Sequence, residues 1–112
     1  MADILSRVPL SGAAATFAPI AITTSAATVH TATSESGYVD DVWMHAFNTT
    51  AATIRLTMTK CGVTFYIDVP PAGAPLTRIF DGVEIAAGGT ITALASGTGV
   101  IIDGHVNRGK AS

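Results

Sequence analysis

Three histidines, one cysteine and a few carboxylates are the residues with catalytic or metal-binding potential in this chain. His30, His45 and His105 lie far apart, in none of the His-x-His or His-x3-His spacings that bring two imidazoles onto one metal, and Cys61 has no companion. A zinc site would have to be assembled from separate strands. His45, inside an apolar run, reads instead as a hydrogen-bonded interior or interface residue. Asp40-Asp41 is an acidic pair of the kind that serves general acid/base work or Ca²⁺. Neighbours in a strand face opposite ways, however, so the pair reads as the charged start of a strand. Asp103 and His105 do share a strand face, where a Ser would complete a triad, but no Gly-x-Ser-x-Gly elbow supplies one. Gly88-Gly89 and Gly97-Thr98-Gly99 precede no helix, so they read as turns rather than phosphate cradles. These residues predict no catalytic site, no metal and no cofactor.

The elements that would position them are strands. No run of useful length shows a 3.6-residue period; short β-type runs alternate with Gly, Pro, Asn and Ser turns. Ala27 to Thr31 is a short strand, and Tyr38 to Phe47 is the most apolar one. Val42, Met44 and Ala46 point one way in it, and Trp43, His45 and Phe47 the other. Apolar residues on both faces predict a strand covered on both sides, by a second sheet or by another subunit. Ile54 to Thr59 and Val63 to Val69 alternate cleanly around Lys60-Cys61-Gly62, which predicts a β-hairpin. Pro70 to Pro75 is a stiff loop that carries the chain between sheets. Leu76 to Phe80 and Val83 to Ile85 read as strands separated by a turn at Asp81-Gly82. Thr90 to Ala95 and Val100 to Val106 read as a final pair, with Gly104 where something packs closely.

The fold predicted is all-β: an antiparallel β-sandwich or barrel, with a jelly roll among the forms it can take. Residues 1–17 show no period and read as an extended N-terminal arm, 18–108 as the sandwich domain and 109–112 as a short C-terminal tail. Cys61 reads as a small β-strand residue, an intermolecular bridge being the alternative.

Composition speaks to partners. Of 112 residues only 12% are charged, so most of the exterior must be Thr, Ser, Ala and Gly. A surface so weakly hydrated predicts burial against neighbouring copies, the alternative being a Thr-rich monomer. A net charge of −2 without a basic stripe argues against nucleic acid, and no polybasic or amphipathic segment addresses a membrane. The Ala-rich stretch after Arg7 is broken by Pro9, Gly12, Pro19 and Thr23-Thr24-Ser25, so it does not read as a signal peptide. No segment reaches the roughly 20 apolar residues of a membrane span. The expectation is a soluble protein made in the cytoplasm.

Three stretches carry a resemblance. They are VDDVWMHAFNTTAATIRLTM at Val39–Met58, VPPAG at Val69–Gly73 followed by FDGVEIAAGGTITALAS at Phe80–Ser96, and the ending VIIDGHVNR at Val100–Arg108. Together they resemble small virion proteins of tailed bacteriophages and related gene-transfer particles over about two-thirds of the chain, Tyr38 to Arg108. His105 stands where an aromatic residue is often found in that group. The resemblance implies a homo-oligomeric, non-enzymatic virion component that contacts the major capsid protein or another virion protein. A head decoration, cement or head-spike-base protein leads; a tail tube, terminator or fibre-associated protein is the alternative within that class. Phe17, Pro19, Trp43, His45 and Phe47 are the candidate contact residues. A carbohydrate-binding sandwich with Trp43 and Tyr66 as sugar platform is the alternative outside it, and it requires both rings on an open face.

Overall fold

The computed structural model describes residues 6–13 and 17–110. Its strands are β1 (Ser6–Pro9), β2 (Ile20–Ile22), β3 (Ala27–Thr31), β4 (Tyr38–Asn48), β5 (Ile54–Lys60), β6 (Val63–Val69), β7 (Thr77–Ala86), β8 (Thr90–Ala95) and β9 (Val100–Lys110). A 3-10 turn, Ser11–Ala13, follows β1. The strands form two antiparallel sheets packed face to face. One is ordered β1-β9-β4-β7, with β2 also on β9, and the other β3-β8-β5-β6.

That order has one simple origin. The pairs β2–β9, β3–β8, β4–β7 and β5–β6 are all antiparallel, as if the chain were one long ribbon doubled back at Cys61-Gly62. Successive pairs fall in alternate sheets, so the ribbon wraps around a core: this is a jelly roll. Its tip is the predicted hairpin, closed by a two-residue turn with both residues at positive φ (Cys61 50°, Gly62 85°). Cys61 therefore occupies the turn, exposed, rather than a strand. The core is filled from inward positions of both sheets, where Val42, Met44, Leu56, Met58, Ile91, Ile102 and Val106 are fully buried. Each such side chain contributes roughly 1.5–3 kcal/mol.

Four further sequence expectations change. The arm is extended over Ser6–Pro9, but it is paired: β1 joins β9, and Leu10 after it is buried, so Ser6–Leu10 is part of the sandwich rather than a separate arm. An alternation this short (Val8 inward, Arg7 and Pro9 outward) gives too little period to read. The expected tail shortens as well, because β9 continues to Lys110 opposite Tyr38. The rest of both expected segments, 1–5, 14–16 and 111–112, lies outside the described residues. Asp81-Gly82 does not end a strand; β7 runs through it as a bulge, with Gly82 at φ 77° as the extra residue. Finally, β8 and β9 do not pair, because the 96–99 connection crosses between sheets, as the Pro70–Pro75 loop does.

Candidate functional site

Strand β4 lies between β9 and β7, and its two faces have separate roles. Its even-numbered residues enter the core, while Asp41, Trp43, His45 and Phe47 stand on the outer face, half-buried. Register places His105 of β9 beside Trp43, Asp103 beside His45, and Ile101 beside Phe47. On the other flank Glu84, Asp81 and Arg78 of β7 face Asp41, Trp43 and His45. The Trp43 and His105 rings lie nearly parallel, 9° apart with centroids 6.3 Å apart. Gly104 makes this seating possible. It lies opposite Met44, and a Cβ there would run into the Trp43 carbonyl.

Phe17 reaches the same face. The residue is 54% exposed and, with Arg7, His45, Asp103 and His105, it lines an open cleft of about 480 Å³. Burial, together with the charges of Arg7 and His45, holds the His105 imidazole below its ordinary pKa, against the pull of Asp103. Two polar atoms on this face, Asp41 Oδ1 and Trp43 Nε1, are shut off from solvent with no hydrogen-bond partner among the described residues. Burial, then repulsion from Glu84 and Asp40, raises the Asp41 carboxyl above the usual range. Of the predicted contact residues, Phe17, Trp43, His45 and Phe47 thus belong to one outer face. Pro19 is exposed just before β2, and Phe47 also borders the proline loop through a second cleft.

No protein-family model matches the chain, and no curated protein does.

Asp40 has a different place from its neighbour. Its fully buried carboxylate accepts hydrogen bonds from His30 Nε2 at 2.7 Å and from Arg108 Nε and Nη2 at 2.8 and 3.0 Å. Strand β3 belongs to one sheet, while β4 and β9 belong to the other, so this cluster ties the sheets together. Burial alone would raise the Asp40 carboxyl, but the hydrogen bonds from Arg108 and His30 and the Arg108 charge outweigh it and hold the group below the usual carboxylate range. The Ser11 backbone N–H donates to His30 Nδ1 at 3.0 Å, so Nδ1 carries a lone pair and the ring proton sits on Nε2. Ser11 Oγ accepts from the Thr31 N–H at 2.7 Å and thus faces a backbone amide of β3. The Ser, His and Asp side chains therefore make a structural clasp over the start of the chain.

Sequence reading placed Asp40 at a charged strand start and missed the clasp. The signal was present: Asp40 has the same parity as Val42 and Met44, and Arg108 the same parity as Val106. A charge at an inward position requires a partner. The remaining constellations stay dispersed. Asp103 Oδ1 accepts from its own neighbour, the Gly104 N–H, and among the described residues no three His, Cys, Asp or Glu side chains converge on a metal-sized site. The two rings of the sugar platform are also separated, with half-buried Trp43 on the outer face of one sheet and Tyr66, 64% exposed, on the other.

Proposed function

We propose that this chain is a non-enzymatic structural protein of a tailed-phage or phage-like particle. In this reading it decorates or cements the head shell, or forms the base of a head spike. One observation carries the reading most: the outer face around Trp43, where an aromatic and histidine strip surrounds two desolvated polar atoms without partners among the described residues. A face of that kind is completed by another protein surface, which supplies the missing hydrogen bonds and covers Phe17. The jelly roll supports it by analogy of fold, since capsid domains use this architecture, although lectins do too. The likeness of the three sequence stretches to small virion proteins supplies the particle.

The mechanism is mechanical. Copies repeated around a symmetry axis each bury a modest interface, and together they stiffen a shell without any single strong site. The test is quantitative mass spectrometry of purified, filled particles from cells carrying this gene, with heads and tails separated. Many copies in the head fraction support the reading, and enrichment in tails moves the protein to the tube or fibre. Absence from particles, combined with retention on a glycan array, replaces it with the sugar-binding alternative.

A further inference from the structure

The jelly roll leaves strands at the sheet edges, and the chain treats these edges unequally. β1 and β2 are four and three residues long, and β1 ends in Pro9. β3 is five residues, breaks register at Val29, and has its Thr31 amide occupied by Ser11 Oγ. β7 is long but breaks register twice, and it carries the exposed Arg78–Asp81 ion pair. Short length, Pro, bulges and charge are the devices that prevent one edge from pairing with another chain.

β6 (Val63–Val69) is neither short nor bulged, contains no Pro and carries no unpaired charge. It is seven residues long, pairs with β5 without a register break, and reads Val-Thr-Phe-Tyr-Ile-Asp-Val. Its one charge, Asp68, turns back across the sheet to Arg55, with Arg55 Nε donating at 2.8 Å. Val63 and Tyr66 are 67% and 64% exposed. The hydrogen-bonding groups that β5 leaves unused follow from the turn. A two-residue loop makes Lys60 and Val63 the closing bonded pair, so Phe65, Ile67 and Val69 bond to β5 while Thr64, Tyr66 and Asp68 aim N–H and C=O outward.

We infer that β6 pairs antiparallel with β6 of a second copy about a two-fold axis at Tyr66, joining two four-stranded sheets into one of eight strands. A second copy fits this edge better than an arbitrary strand because the sequence is complementary to itself in that register. Tyr66 meets Tyr66 of the second copy, Thr64 meets its Asp68 as hydroxyl to carboxylate, and Phe65 meets its Ile67. No like charges stand opposite one another. All three outward-aimed residues fall in bonded pairs, and the exposed faces of both sheets stay on one side. The inference goes beyond the particle reading, since it requires only another copy of the chain.

The test is solution mass across a concentration series, together with amide hydrogen exchange at Thr64, Tyr66 and Asp68. Tyr66→Pro removes an N–H that β5 does not use, so the monomer fold is kept while the central pair is blocked. Tyr66→Lys puts two ammonium groups at the axis, and it serves if the proline variant does not fold. We expect the wild-type mass to rise to that of a pair and the three amides to be protected. Either folded variant should return the mass to 11.4 kDa and restore exchange. A wild-type chain that stays monomeric overturns the pairing, as does association that leaves the three amides unprotected or survives Tyr66→Lys. A monomer that is nonetheless abundant in particles overturns the pairing alone. A β6-paired dimer absent from particles overturns the particle reading alone.

Discussion

Asp40 and Asp41 are adjacent in sequence, yet the fold shifts their titrations in opposite directions, and each shift has a consequence for stability. Asp40 is lowered by Arg108 and His30, so its contribution is complete above the unfolded value of about 3.9 and is lost as pH falls through the lower folded value. Replacing it with Asn leaves Arg108 without its carboxylate at the sheet junction and should cost about 3 kcal/mol in urea unfolding at neutral pH. That deficit should shrink in titrations taken below about pH 4. A deficit that is constant down to pH 2 would mean that the carboxylate charge is not what His30 and Arg108 hold. Asp41 behaves inversely. Burial and Glu84 raise it, so the folded protein resists its ionisation, and the penalty is present above the folded value and absent below the unfolded one. Asp41→Asn should therefore stabilise the free chain at pH 7 in urea unfolding, with the gain vanishing below about pH 4.

At the scale of elements, β4 and β9 form the longest pairing, eleven residues in continuous register, and Gly104 lies near its middle. Gly104→Ala drives a methyl group into the Trp43 backbone, where neither strand can shift without breaking its ladder. The expected loss is about 2–3 kcal/mol by urea unfolding, with a changed near-ultraviolet signal from Trp43. A neutral result would show that the two strands separate more easily than their register implies. Gly104 and the β5–β6 hairpin were legible in the sequence because each is a local matter: one inward glycine among apolar residues, and one clean alternation around a short glycine-containing connection. The strand partners were not legible. Thr90 to Ala95 and Val100 to Val106 look like a hairpin because the chain between them is short and glycine-rich. Whether such a connection turns within a sheet or crosses between sheets depends on which strands already occupy the neighbouring edges. Asp81-Gly82 shows the same limit, since the same dipeptide makes a turn at a free end and a bulge when β4 continues alongside it.

At the scale of the whole molecule, the start of the chain decides how the domain and its assembly are related. An arm that serves only neighbouring subunits can be removed without harm to the monomer. The geometry points the other way: β1 pairs with β9, Leu10 is buried in the core, and Ser11 donates to His30 and accepts from Thr31. Burial of Leu10 contributes roughly 1.5–3 kcal/mol. The two Ser11 hydrogen bonds add about 0.5–1.5 kcal/mol each, and without them His30 Nδ1 loses its donor. A chain lacking residues 1–13 should therefore lose at least about 3 kcal/mol of unfolding free energy as a monomer, at concentrations too low for any association. Leu10→Ala alone should account for about 2–5 kcal/mol. If the shortened chain instead unfolds at the wild-type urea concentration and loses only its ability to associate, the segment belongs to the interface and the clasp is dispensable. The two results also separate the contacts that make the domain from those that make an assembly. On the expected outcome β1 and the Ser11–Ala13 turn complete the jelly roll, and association falls to surfaces that the folded domain leaves open, the β6 edge and the face around Trp43.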